Sequence, residues 1–258
     1  MYNEHPVFAA PPDETVIWRY TTWGRLCDVL VKNALFFVRA TAFDDPWEAS
    51  HPESHFDPEE APKRWAHLTA YSPKTIADLQ NRELEMVRRH EEQRRTLAVN
   101  CWHIATEESD SHWRIYGRSD EGIAIRSTVG RLKAAVDIYK DRAVNIGEVK
   151  YIDFAKETFP TNNGFWPVVY KRLAFRHDKE LRAVVWEMEP GPPFGDKGVY
   201  VVVDVTALIQ EVVVTPLAAP SFLEPVREMV RRFGLSCEVK RSDLLDPPRY
   251  RVPPGSGV

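Results

Sequence analysis

Val16-Ile17-Trp18-Arg19-Tyr20-Thr21-Thr22 is the stretch on which the fold of this chain turns. β-Branched and aromatic residues dominate it, so residues 16–20 are expected as a strand. Thr21 or Thr22 then offers a cap for a helix with Trp23, Leu26 and Leu30 on one face, and Asn33 is a natural left-handed stop. Leu35-Phe36-Phe37-Val38 follows as a short buried strand. A strand bearing an arginine between two aromatics, followed at once by a helix and a second strand, sets the style of the whole chain.

Outward from there, residues 98–102, 122–126, 148–152, 180–186, 199–205, 212–214 and 237–240 read as further strands. Short helices are expected around Trp113 and Tyr116, which are three apart on one face. Others are expected after a Ser127 cap with Leu132, Ala135 and Val136 inward, over 166–176, and over Val226 to Phe233. The last opens on the capping-box pattern Ser221-Phe222-Leu223-Glu224 and closes at Gly234. Glu189-Pro190-Gly191-Pro192-Pro193 is expected to join strands 180–186 and 199–205 as a wide hairpin. Many strands with interleaved short helices and no βαβ rhythm indicate an α+β fold.

The chain has 258 residues and is 43% apolar, which suits one domain with a real core. Residues 1–15 read as a flexible N-terminal arm, 16–245 as a single α+β domain, and 246–258 as a flexible tail. Inside the domain, 49–96 is a surface excursion. Its Ser72-Pro73 start leads into a charged helix over 74–95, with only Ile76, Leu79, Leu84 and Val87 as an apolar stripe. That helix is either a solvated helix packed on one side, or a lid or protein-binding surface.

Composition also excludes function classes. Lys and Arg number 34 against 38 Asp and Glu, a formal charge of -4, so net charge gives no case for nucleic acid or a membrane surface. The longest apolar run, 199–214, is broken by Asp204, Gln210 and Glu211 and falls short of the ~20 residues that span a bilayer. Cys27, Cys101 and Cys237 are odd in number and form no C-x-x-C, which argues for buried thiols in a reducing cytoplasm. The first residues lack a basic-then-apolar signal, and a cytoplasmic protein is expected. Dinucleotide-binding glycine fingerprints, P-loops, nucleophile elbows and zincin motifs are missing.

What stands out is charge beside strand-like segments: Arg19, Lys171-Arg172, Glu180 and Arg182, with Trp113 and Tyr116 as aromatic company. Buried charge is costly unless it is paired or used. Arg19 suits either a bidentate grip on phosphate or an ion pair with Glu180 or Asp45. Glu180 and Arg182 point to one face of their strand, toward a pocket or toward a solvent-facing edge. Trp113 and Tyr116 suit a core or pocket wall, or a stacking platform. Asp44, Asp45 and Glu48 could bind a metal, but Asp44-Asp45-Pro46 reads rather as a turn. The histidines at 51, 55 and 67 lack ligand spacing, so no metal is expected. Glu148-x-Lys150, with Asp137 or Asp110, is a short nuclease-like pattern.

The ordered set Trp18-Arg19-Tyr20-Thr21, Phe43-Asp44-Asp45-Pro46-Trp47-Glu48, Cys101-Trp102, Trp113-x-x-Tyr116-Gly117, Gly122-Ile123-Ala124-Ile125, Lys171-Arg172 and His177-Asp178-Lys179-Glu180-Leu181-Arg182 resembles a large bacterial domain family of unknown function. The match covers most of 16–243. It departs at Asp178, where that pattern has glutamate, and at Asp44, where it has asparagine. Residues 17–38, Ser127-Thr128 and Glu180 also resemble, in order, the elements of ADP-ribosyltransferases.

That second resemblance implies a mixed, largely antiparallel split sheet, flanked by short helices and the one long charged helix, with NAD bound as substrate. It implies Glu180 as the catalytic carboxylate steadying a ribose that gains positive charge. Arg19, Tyr20 and Thr21 are then expected at phosphate or ribose and Tyr116 with Trp113 at nicotinamide. Ser127, Arg172 and Arg182 complete the expected cofactor-binding set. The activity implied is ADP-ribosyl transfer or NAD cleavage, in a bacterial toxin or phage-defence role. The alternatives are a non-catalytic nucleotide- or protein-binding domain, with helix 74–95 as the protein-facing surface, and a metal-dependent nuclease. The geometric expectation is that Arg19, Tyr116 and Glu180 face a common cleft.

Overall fold

Strand β1 (Val16–Thr22) is paired along its whole length on one side only. There β4 (Gly122–Thr128) runs antiparallel to it, from Val16 opposite Thr128 to Thr22 opposite Gly122. On its other side, Ile17 and Trp18 alone are in register, with Ile104 and His103 of β3 (Leu97–Ile104). The computed structural model describes residues 1–52 and 92–248, apart from 118, 119, 188–190 and 192, with single positions at 54, 78, 81, 85, 88 and 89.

The fold is α+β, built on a mixed, mostly antiparallel sheet. Strand β2 (Ala34–Arg39) meets β3 antiparallel at Val38 and Arg39, opposite Val99 and Ala98. The opposite edge of β3 is fully occupied by β8 (Glu180–Trp186), from Leu97 opposite Trp186 to His103 opposite Glu180. Hence β1 and β2 share one edge of β3, one at each end, and the backbone of residues 100–102 faces a gap between them. The sheet is split there. Beyond β1 lie β4, β10 (Glu211–Val214) and β11 (Glu238–Arg241); beyond β2 lies β9 (Gly198–Val202); beyond β8 lies β5 (Asn145–Glu148). A separate parallel pair joins β6 (Lys150–Ile152) to β7 (Tyr170–Arg172).

Helix α1 (Trp23–Lys32) carries the chain from β1 to β2 and buries Leu26, Val29 and Leu30. It ends at Asn33, left-handed at φ 46°, whose N–H donates to the Val29 carbonyl, as an αL cap requires. Helix α2 (Asp110–Tyr116) is capped by Ser109, which accepts from the His112 N–H. Helix α3 (Val129–Val136) is capped by Thr128 and buries Leu132, Ala135 and Val136. Helices α4 (Trp166–Val169) and α5 (Val205–Leu208) are single turns, and α6 (Leu223–Arg232) buries Val226 and Val230. The main core includes Ile17, Leu30, Phe37, Trp102, Ile125 and Leu181.

Several expected elements differ. Residues 166–176 are not one helix: α4 gives way to β7, and Leu173–Asp178 form 3₁₀ turns. An apolar run of Trp, Pro, Val and Tyr satisfies either period, and pairing with β6 decides for strand. Strands β8 and β9 do not form a hairpin; they pair with β3 and β5, and with β2, respectively. The segment 148–152 is divided between β5 and β6. At α6 the capping position falls on Phe222, without a side-chain cap, so the Ser221 capping box is not formed. Thr128 rather than Ser127 caps α3. The arm at 1–15 is held against the fold, with Val7 and Phe8 buried and the Phe8 ring edge-on to Phe165. Most of helix 74–95 and most of the excursion 49–96 lie outside the described residues, as does the tail after residue 248.

Candidate active site

The gap in the sheet opens into a cavity of about 220 Å³. Its walls include Arg19 and Tyr20 from β1, Cys101 and His103 from β3, Tyr116 from α2, and Glu180 from β8. Alternation along the strand accounts for Cys101 and His103 but not for the consecutive Arg19 and Tyr20. Cys101 and His103 are two apart and share a face of β3.

Arg19 is the consequence of the split. Where β1 leaves β3, the Cys101 carbonyl loses its ladder partner, and Arg19 Nη1 donates to it at 2.6 Å. No carboxylate pairs with Arg19 among the described residues. Burial disfavours its charge most, Cys101 opposes this in part, and Arg25, which also lines the cavity, adds a smaller repulsion. Together they lower its pKa to about 10. Arg19 stays a cation at neutral pH, a half-buried guanidinium bonded to a neutral group and otherwise open to the cavity.

The Glu180 end carries a buried charge cluster. Lys171 Nζ lies 2.9 Å from Glu180 Oε1, 3.0 Å from Asp178 Oδ2 and 3.9 Å from Glu48 Oε2. Arg182, fully buried, reaches Glu180 Oε2 at 2.7 Å and Glu48 Oε1 at 2.7 Å, and donates to the Val168 carbonyl at 2.6 Å. Three carboxylates thus face two cations. Burial works against the charge of Glu180, but Arg182 and Lys171 outweigh it and hold its pKa below the ordinary carboxylate range. Burial likewise opposes the charge of Lys171, and Glu180, Glu48 and Asp178 more than restore it. The Glu180 backbone N–H donates to the Tyr151 hydroxyl at 2.9 Å, which fixes the start of β8.

Between these ends lies an aromatic wall. Tyr20 packs edge-on to Trp113 at 5.0 Å, and its hydroxyl accepts from the Ser109 N–H at 2.7 Å. Tyr116 is 44% exposed, so its ring is available to a ligand, and its hydroxyl donates toward Asp178 Oδ1 at 3.4 Å. His103 and His112 stack with centroids 3.7 Å apart. Burial first, then Glu180, pushes the Cys101 thiol up to about 12, so it is a protonated wall group rather than a thiolate nucleophile.

The structure therefore brings Arg19, Tyr20, Tyr116 and Glu180 to one cavity, with Lys171 below. Other residues singled out from the sequence lie elsewhere. Thr21 is buried on β1 outside the lining. Trp113 packs beneath Tyr20, with Nε1 donating to Glu108. Ser127 is fully buried and donates to the Leu208 carbonyl at 2.6 Å. Arg172 pairs with Asp45 at 2.7 Å beside Trp47, at a separate depression. Arg182 lies under Glu180 rather than on the cavity wall. Sequence reading passed over His103 and His112, and it gave Glu48 and Asp178 no place beside Glu180. The one signal for His103 was its place two residues after Cys101 on a strand already recognised. Nothing local marks Glu48 as the partner of Arg182.

Among the described residues, no group of three His, Cys, Asp or Glu side chains is placed to hold a metal ion, and no helix is long and apolar enough to cross a membrane. No family model and no curated protein matches the chain, so the sequence motif set has no family model behind it. The chain is similar to solved structures of Thermus sp. 2.9 DarT. The one in complex with ADP-ribosylated ssDNA is 12% identical, covers 91% of this chain and 97% of that chain, and has a TM-score of 0.39. The complex with carba-NAD+ is 11% identical over 90% and 97%, and the complex with NAD+ is 11% identical over 90% and 96%, both at a TM-score of 0.37. Likeness at this level carries no argument about what the present chain does.

Proposed function

We propose that the cavity binds NAD and that the chain transfers or releases its ADP-ribose. One observation carries this reading. An arginine without a carboxylate partner among the described residues and a carboxylate-rich cluster line the same cavity, one at each edge of β3. Such a bipolar site suits a ligand with an anionic end and a centre that gains positive charge. Arg19 then holds a phosphate, Tyr116 lies against the nicotinamide ring, and Glu180 faces the ribose. A volume of about 220 Å³ is below the roughly 300 Å³ at which whole drug-sized ligands begin, so it suits one half of a dinucleotide. The bacterial and toxin or defence setting belongs to the same proposal and rests on sequence resemblance, and the cytoplasmic one rests on the cysteine pattern and the first residues.

A second reading has its own support. Both Glu180 oxygens are engaged by Lys171 and Arg182, an arrangement that also suits a binding protein without turnover. Calorimetric titration with NAD and release of nicotinamide separate the two. Both are expected in the wild-type protein, whereas binding without release selects the second reading. Arg19→Met removes charge-assisted hydrogen bonds of about 1.5–3 kcal/mol, which is roughly a 10- to 150-fold loss of NAD affinity. Unaltered affinity in that variant overturns the assignment.

A further inference from the structure

His103 is a buried histidine that still reaches the cavity. Its Nδ1 is 2.7 Å from the Asp178 backbone carbonyl, which can only accept, so Nδ1 carries the proton and Nε2 the lone pair. Nε2 has no hydrogen-bond partner among the described residues and is not sealed in protein, and His103 lines the cavity. The stacked ring of His112 covers one face of His103, and His112 Nδ1 is itself 2.9 Å from Ser109 Oγ. Stacked rings present their nitrogens at the edges, so the pair cannot pass a proton directly. What the stack does is hold His103 in place and disfavour a second charge beside it.

We propose that His103 is the group that takes the proton from the nucleophile attacking the sugar. This rests on the NAD reading of the cavity. The acceptor, water or a hydroxyl, forms a bond from its oxygen to the anomeric carbon. The bond from that carbon to the nicotinamide nitrogen breaks, and its electron pair leaves with neutral nicotinamide. The acceptor's proton passes to His103 Nε2. Glu180 is ill suited to this task because both its oxygens already hold cations. Cys101 is ill suited because its thiol is protonated.

Burial, then Lys179, lowers the pKa of His103 from its ordinary 6.5, against opposing effects of the Asp178 carbonyl and carboxylate. The other titratable groups around it are Tyr20 and Arg19 on β1, His112 and Tyr116 on α2, and Lys171 on β7. Glu180 on β8, and Cys101 on its own strand, complete the surroundings. A base of this kind is active when neutral. Nicotinamide release by the wild-type protein therefore rises with pH through a midpoint below 6.5 and is flat above it.

The test compares wild type with His103→Asn and His103→Gln, measuring NAD affinity by calorimetry and nicotinamide release across about pH 5 to 8. Loss of a general base predicts a kcat lower by about 10²-fold or more, no rising acidic limb, and unchanged NAD affinity. His112→Phe keeps the stack, and because His112 is neutral above a pKa of about 4 the limb stays where it is. His103 variants that bind NAD yet keep wild-type kcat or the acidic limb overturn this inference alone. Wild-type protein that fails to bind NAD, or binds it without release, overturns the enzymatic reading and this inference with it.

Discussion

Glu180→Gln is the substitution that asks most of the cavity, because it tests chemistry and architecture together. Glu180 is 8% exposed, with one oxygen on Lys171 at 2.9 Å and the other on Arg182 at 2.7 Å. The variant leaves Lys171 with Asp178 and Arg182 with Glu48, so two cations still face two carboxylates. A glutamine oxygen can accept from one cation, but its amide then points donors at the other. The expected loss is one charge-assisted bond, about 2 kcal/mol, which for a domain of this size lowers Tm by roughly 4–8 °C.

Arg182→Met is different. It strips the shared cation from Glu48 and Glu180 and should cost about 3–5 kcal/mol, roughly 6–20 °C. Thermal unfolding followed by circular dichroism, with urea midpoints as a check, ranks the two. Nicotinamide release should vanish in Glu180→Gln well below its Tm. Equal destabilisation by the two variants refutes the charge accounting. A stable Glu180→Gln with full turnover refutes the role given to Glu180.

His112 and Gly198 give two further expected outcomes. His112 is held at a pKa of about 4 by burial first and by His103 next, below its ordinary 6.5. The unfolded chain takes up this proton first as pH falls, so the His112 contribution is complete above 6.5 and is lost between 6.5 and about 4. Unfolding free energies from urea titrations over that range should fall, by at most about 1.4 kcal/mol per pH unit for one such group, and the slope should flatten in His112→Phe; an identical slope in that variant removes His112 as its source. Gly198 has φ 148°, and a Cβ there would come within 1.9 Å of the Phe37 carbonyl oxygen across the β2–β9 pair. Gly198→Ala should cost about 1–3 kcal/mol in backbone strain alone, and an unchanged urea midpoint would show that β9 relaxes freely.

The legible parts of this chain were those governed by local rules. β1, α1 and the left-handed stop at Asn33 follow from residue type and spacing within a few positions. The alternation that puts Glu180 and Arg182 on one face of β8 is equally local, and the two side chains do meet. Lys171 was misread because its run fits a helix as well as a strand, and a pairing with β6 chooses between them. The hairpin between β8 and β9 failed because proximity in sequence is a weaker force than the edges offered by β3 and β2. The pairing of Glu48 with Arg182 was hidden for a related reason. It is fixed by the path of a turn whose Asp45 is anchored on Arg172, and no spacing rule reaches from 48 to 182. Ser127 and Trp113 had plausible chemistry but face packed protein, a matter of which side of a strand or helix meets the core.

The break in the sheet also has a mechanical meaning. Strand β3 is clamped to β8 along its full length, whereas β1 and β2 are each stitched to it by two residue pairs at opposite ends. The sheet is thus a rigid spine with two leaves on short seams, and the cavity sits where the leaves part. A molecule seated there touches both leaves at once, so its occupancy and the angle between them form a single equilibrium. Substitutions along either seam, far from any atom of the ligand, should register as changes in affinity.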